Sequence, residues 1–186
     1  MKKIMFNDKY GLTQAVLSGR KTMTRRFVPD RTPFGCWRET VKRSRYQVGE
    51  VVAIAQSYKD AKIEFIPIEE SVLVGKKSEA RQWGYTKNMA GYHNKMFVRA
   101  NLMPHHIRIT DIKVEWLQDI SDEDCIKEGI KKLDNPIFGV RYEIPNYFQI
   151  FNTPREAFTA LIDNISGKGA WESNPWVFAY EFKLVD

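Results

Sequence analysis

From Trp176 to the carboxyl end the chain alternates. Trp176, Phe178, Tyr180, Phe182 and Leu184 fall on one parity, against Val177, Ala179, Glu181, Lys183 and Val185 on the other. A period of two sustained over this length dictates a β-strand with one heavily apolar face, and such a face is buried only inside a sheet. The rest of the chain must supply that sheet. His106–Trp116 is a second strand, but Ile107 and Ile109 share one parity while Ile112, Val114 and Trp116 share the other. The switch near Asp111 predicts a bulge or sharp bend, of the kind small closed barrels need. The turn Gln47-Val48-Gly49-Glu50 feeds a short apolar strand, Val51–Ala55. Lys95–Ala100 also reads as a strand, and Thr22–Val28 starts one that Pro29-Asp30-Arg31-Thr32-Pro33 interrupts, before a loop carrying Trp37.

Helices are marked by their ends. Leu12, Ala15 and Val16 share a helical face, and Gly19 stands where a left-handed C-terminal cap belongs. Ser121-Asp122-Glu123-Asp124 is a helix start, with a serine cap and carboxylates in the first turn, and Gly129 ends that helix after about two turns. Thr153-Pro154-Arg155-Glu156 combines a capping threonine, proline at the first helical position and glutamate at the third, ahead of the apolar stripe Phe158, Leu161, Ile162 and Ile165. The expected architecture is α+β: a mixed β-barrel with about three short helices in a single domain, 1–186. Two loop insertions, at about 56–92 and 131–152, interrupt it.

With 43% hydrophobic and 13% aromatic residues, the chain is not disordered. No apolar stretch is long enough for a bilayer, and Asn7-Asp8 breaks the amino end before a secretory hydrophobic region forms, so the expected localisation is cytoplasmic, away from membranes. Cys36 and Cys125 have no metal-binding spacing and are expected to be reduced. Charge is uneven. Residues 1–48 hold 12 Lys or Arg against 3 Asp or Glu, a balance of 12 − 3 = +9 within a total of +6. That asymmetry favours a polyanionic partner approached through the amino-terminal third, with a merely solvated basic face as the plain alternative.

The chemistry concentrates in Gly19-Arg20-Lys21-Thr22-Met23-Thr24-Arg25-Arg26, four cations and two hydroxyls in eight residues. Emerging from a glycine turn, this run is suited to an anion or a carbonyl. Lys21 beside Arg20, Arg25 and Arg26 has its charged form disfavoured, which makes its free amine available as a base. In a regular strand Lys21 and Thr24 have opposite parity, so joint action requires a turn there. The plain reading is that the cations bind phosphate and the threonines are ordinary strand residues.

The helix leading into Gly19-Arg20-Lys21-Thr22-x-Thr24-x-Arg26, the Val48-Gly49-Glu50-Val51 turn and strand, Leu117-Gln118-Asp119-Ile120-Ser121 and the terminal aromatic strand together resemble the ASCH domain family, a branch of the PUA-like β-barrel superfamily. The resemblance covers the core without the two insertions and is closest to the longer, phage- or mobile-element-related members. It implies a PUA-like barrel binding RNA or a modified nucleobase through Arg20, Thr22, Arg25 and Arg26, without a cofactor. Within the family, the bacterial N(4)-acetylcytidine amidohydrolases remove an acetyl group from modified cytidine. Their catalytic lysine and threonine map onto Lys21 and Thr24, and their glutamate onto Glu128, with Glu123 the alternative if the alignment shifts. Binding is the leading reading, an amidohydrolase of that kind the alternative, and engagement of a host protein through the insertions the third.

In that chemistry Thr24 attacks the carbonyl, Glu128 protonates the leaving nitrogen, and Arg25 or Arg26 steadies the oxyanion. Trp37, Trp83, Trp171 and Tyr92 are candidates to stack on a splayed base, Trp171 foremost beside Gly167-Lys168-Gly169. His93, His105 and His106 lack a carboxylate or thiolate at suitable spacing and read as loop histidines, so no metal site is expected.

Overall fold

A computed structural model describes residues 1–30, 32, 36–63, 90–137 and 139–185. Trp83 and most of the first expected insertion lie outside the described residues. The fold is α+β, with four helices and strands belonging to two sheets, neither closed into a barrel among the described residues. The chain divides into two compact units, Met1–Met5 with Ala53–Pro104, and Phe6–Val52 with His105–Asp186. Among the described residues no helix is long and apolar enough to cross a membrane.

In the smaller unit, β1 (Lys3–Ile4) runs parallel to the end of β3 (Val51–Ile54), with Lys3 opposite Ala53 and Ile4 opposite Ile54. Ala53, Ala55, Tyr58, Val98 and Met103 make its core. Lys95–Ala100, expected as a strand, instead forms single 3-10 turns at Lys95–Phe97 and Ala100–Leu102. The cause is local: the Asn94 side chain accepts a hydrogen bond from the Met96 N–H at 3.0 Å, which favours a turn over a ladder.

The larger unit is built on the terminal aromatic strand, β8 (Trp176–Leu184), which lies between β4 (His106–Trp116) and β2 (Met23–Phe27), antiparallel to both. The parity switch is real. The β4–β8 register shifts between Ile109 and Asp111, and the extra residue keeps Ile107, Ile109, Ile112, Val114 and Trp116 opposite Leu184, Phe182, Tyr180, Phe178 and Trp176. One face of the sheet is therefore continuously apolar on both sides of the bulge. On the other face Ala179 stands between Arg25 of β2 and Lys113 of β4. The Gly49 turn joins this unit, with the Gly49 N–H donating to Ile109 O and the Ile109 N–H to Glu50 O.

The helix ends form where their sequences predict. Helix α1 (Leu12–Leu17) is followed by Gly19 at φ +72°. Ser121 caps α3 (Asp122–Lys127) by accepting from the Asp124 N–H, and Gly129 at φ +107° ends it. Thr153 caps α4 (Pro154–Ser166) by accepting from the Glu156 N–H at 3.1 Å. Two further expectations change. Trp37 starts a helix, α2 (Trp37–Lys42), where a loop was expected. Residues 131–152, expected as a loop insertion, contain β5 (Lys131–Asn135), β6 (Gly139–Glu143) and β7 (Ile150–Phe151), a second, three-stranded sheet. Proline and glycine there mark the turns of a meander.

Candidate functional site

After α1 the chain folds back on itself: the Gly19 N–H donates to Val16 O and the Lys21 N–H to Ala15 O. Lys21 therefore sits in a turn ahead of β2, and strand alternation does not separate it from Thr24. Its side chain passes against Gly129, where an added Cβ would lie 3.5 Å from Lys21 Cδ and 3.2 Å from Leu12 Cδ2. A glycine at that helix end lets the lysine through. Lys21 Nζ then donates to the Glu128 carbonyl and to Glu128 Oε2, both at 2.6 Å. The Lys21 and Glu128 side chains are only 1% and 6% exposed.

Burial is the largest influence on Lys21 and lowers its pKa below the ordinary lysine value. Glu128 opposes this by its charge and its hydrogen bond, while Arg26 and Arg25 add smaller lowering contributions. The outcome is a lysine whose free amine lies closer to reach than in water, held against a carboxylate at hydrogen-bond distance.

Arg25 is equally enclosed and differently employed. Its guanidinium reaches Glu115 Oε1 at 2.6 Å, Asp124 Oδ2 at 3.0 Å and Glu128 Oε1 at 3.4 Å. Glu115 lies on β4, beyond β8, and the guanidinium reaches it over the face of β8 that carries the small side chain of Ala179 opposite Arg25. Burial alone would lower the Arg25 pKa, but the carboxylates outweigh it and the net shift is upward. Glu128 is thus gripped from both sides, Oε2 by Lys21 and Oε1 by Arg25.

Lys21, Thr24, Arg25, Arg26 and Glu128 line one hollow of ≈ 200 Å³, closed by Phe6, Leu12 and the α4 residues Phe158, Leu161, Ile162 and Ile165. Thr24 is buried and Arg26 exposed. The geometry places Glu128 against Lys21, whereas Glu123 is exposed in the first turn of α3. Cys125, on the same helix, is buried, and that burial pushes its thiol up to about 12, which makes it an inert thiol.

The other candidates lie elsewhere or serve the scaffold. Arg20 donates to the Gly129 carbonyl at 2.9 Å. Thr22 works through its backbone, donating to Lys127 O and accepting from the Phe182 N–H. The Trp37 side chain lies outside what the structure describes. Trp171 lines a separate, broader hollow of ≈ 670 Å³ with Phe151, Arg155 and Thr159. There its ring packs edge-on against Phe158 and lies 5.1 Å from the Arg155 guanidinium. Tyr92 meets His93 edge-on, with His93 exposed and His105 and His106 half-buried.

Sequence reading missed Glu115, Phe6 and the α4 wall, and it took Asp124 as part of a helix start whose acidic cluster could orient Lys21 rather than as a partner of Arg25. Glu128 was found only through the resemblance. A buried arginine needs carboxylates, but nothing local to residues 19–26 says which distant ones arrive. No protein-family model, characterised protein or solved structure matches the chain.

Proposed function

We propose that the larger unit is an ASCH-type, PUA-like domain whose Lys21 hollow takes a modified nucleobase and hydrolyses an exocyclic amide on it, as in N(4)-acetylcytidine. The observation that carries this reading is the Lys21–Glu128 contact of 2.6 Å at the wall of a small hollow that Thr24 also lines. Two further points support a small, uncharged ligand over a bare phosphate chain. Arg20, Lys21 and Arg25 are each engaged by protein oxygens. A hollow of ≈ 200 Å³ suits a single ring system better than a larger ligand.

The chemistry follows from one proton held between Nζ and Oε2. With that proton on Glu128, Lys21 is a free amine and Glu128 a carboxylic acid, so base and acid stand ready together. Lys21 takes the Thr24 hydroxyl proton as Oγ1 bonds to the acyl carbon. The C–N bond then breaks and Glu128 protonates the departing nitrogen. Water next attacks the acyl-threonine and gives its proton to the Glu128 carboxylate, while the Lys21 ammonium returns a proton to Oγ1. The sum is one water consumed, one amine and one carboxylic acid released, and the pair restored. Arg25 fixes the carboxylate from its far side and acts as a positioning residue.

The test is acetate release from N(4)-acetylcytidine, followed by mass spectrometry. The wild-type protein releases acetate, and Lys21→Ala lowers the rate by about 10²- to 10⁴-fold with its circular dichroism unchanged. No acetate from the wild type overturns the catalytic reading. Capture of the base without turnover is the second reading, favoured by one observation: Glu128 occupies Nζ with both its carbonyl and its carboxylate. Binding of the nucleoside with no product selects it.

A further inference from the structure

The hollow is lined by four consecutive residues of β2: Thr24, Arg25, Arg26 and Phe27. Side chains of a strand alternate between faces, so four in succession cannot all reach one hollow by their side chains. The hollow must run along the rim of the strand. Among the described residues β2 is the last strand in its sheet. The rim it presents consists of backbone N–H and C=O groups.

The pairing with β8 fixes which ones. Thr22 O accepts from the Phe182 N–H and the Val28 N–H donates to Trp176 O, at opposite ends of a continuous register. In an antiparallel pair, hydrogen-bonded positions recur every second residue, so the Thr22 carbonyl, the backbone groups of Thr24 and Arg26 and the Val28 N–H point at β8, while the Thr22 N–H turns to Lys127 O. Met23, Arg25 and Phe27 point theirs away from it. Among the described residues no hydrogen bond engages those outward groups. The Arg25 carbonyl and the Phe27 N–H flank Arg26 and offer an acceptor and a donor side by side, and Ile162, Ile165 and Ser166 of α4 line the same hollow.

We propose that this rim is the specificity element of the hollow: the outward backbone of Arg25 and Phe27 reads the donor–acceptor edge of a flat amide-bearing ring, an N-acylated pyrimidine base, inserted between β2 and α4. An extended peptide is the usual partner of an open strand edge. Here the volume of ≈ 200 Å³ is too small for an added strand, and the apolar α4 wall offers a face for a ring to lie against. This inference rests on the nucleobase reading above, but it concerns recognition and does not require turnover.

The test removes the Phe27 N–H without touching the ladder. Phe27→Pro deletes a donor that β8 does not use, which an edge strand accepts. Replacing Phe27 by phenyllactic acid converts the same amide to an ester with the side chain intact. Affinity for N(4)-acetylcytidine is measured by calorimetry, and the amide signals of Arg25 and Phe27 are followed by NMR. Both altered proteins are expected to bind about tenfold more weakly, the loss of one hydrogen bond, and to discriminate less between N(4)-acetylcytidine and uridine, whose O4 and N3–H reverse the donor–acceptor order. In the wild type the Phe27 amide shifts on binding. Unchanged affinity and selectivity in both altered proteins overturns this inference and leaves the nucleobase reading standing. Absence of any nucleoside binding by the wild type overturns both.

Discussion

Helix α4 separates two hollows that share a helix and little else. On one side, Phe158, Leu161, Ile162 and Ile165 close ≈ 200 Å³ around a buried lysine, a buried arginine and a carboxylate. On the other, Arg155, Glu156 and Thr159 border ≈ 670 Å³ around Trp171. In the first, charges are taken out of water and made to answer one another. In the second, an exposed arginine covers an aromatic ring and hydrogen-bonds the carbonyls of Ile120 and Gln118. Ionisable groups become chemically unusual where burial and a specific partner coincide, and only the Lys21 side meets both conditions.

The comparison breaks most readily at Arg25. Arg25→Ala leaves Glu115, Asp124 and Glu128 without their shared cation. Removing one member of a buried charge cluster costs about 3–5 kcal/mol. Urea unfolding of the variant measures the loss. A loss under about 1 kcal/mol means the cluster is solvated and the two sides of α4 do not differ in kind. A smaller effect is expected at Gly129, where φ is +107° and an added Cβ meets Leu12 Cδ2 at 3.2 Å. Gly129→Ala is expected to cost about 1–3 kcal/mol of stability, and it shifts Lys21 relative to Glu128, so turnover falls along with the melting temperature.

The pH dependence sharpens the same contrast. The folded Lys21 pKa lies below 10.5, so between that folded value and 10.5 the unfolded chain binds more protons than the folded one. Stability from this group therefore rises with pH across the window, with a slope of at most about 1.4 kcal/mol per pH unit. Subtracting the pH profile of Lys21→Met isolates it from the tyrosines that titrate nearby. Glu128→Gln removes the charge that raises the Lys21 pKa, lowers that pKa further and extends the window to lower pH. An identical difference profile with and without the Glu128 charge contradicts the pairing.

What the sequence discloses is what is local. The caps at Ser121 and Thr153 and the stop at Gly129 are fixed by residues within one turn of each other, and all three formed. The bulge between Ile109 and Asp111 was legible because a parity switch within a single strand leaves the apolar face no other way to stay continuous. The β5–β7 sheet was not legible, because Pro136 and Gly139 mark a tight turn and an irregular loop alike. The partners of Arg25 were hidden for a different reason. Glu115 and Asp124 are 90 and 99 residues away along the chain; Glu115 arrives because β8 lies between β2 and β4 with Ala179 at the crossing, and Asp124 because α3 packs against β2. In the basic run, the glycine turn that frees Lys21 from strand parity could be anticipated from Gly19, but the outward amides of β2 could not, since they depend on which strand ends the sheet.

The smallest effect belongs to the other side of α4, and it decides whether the two hollows are independent. Trp171 packs edge-on against Phe158, whose ring also helps close the Lys21 hollow, so the two sides share one physical wall. Trp171→Phe keeps an aromatic edge toward Phe158 and a face under Arg155, and it weakens the cation–π contact by roughly 0.5 kcal/mol. The expected outcome is a melting temperature lowered by a few degrees at most and acetate release within twofold of wild type. If the variant instead loses tenfold in turnover at unchanged stability, then displacement of Phe158 is reaching Lys21 and Glu128, and the aromatic side is a support of the Lys21 side. Measuring Phe158→Leu alongside it separates the routes: this change alters the shared wall directly, so it should reduce turnover whichever way Trp171→Phe behaves.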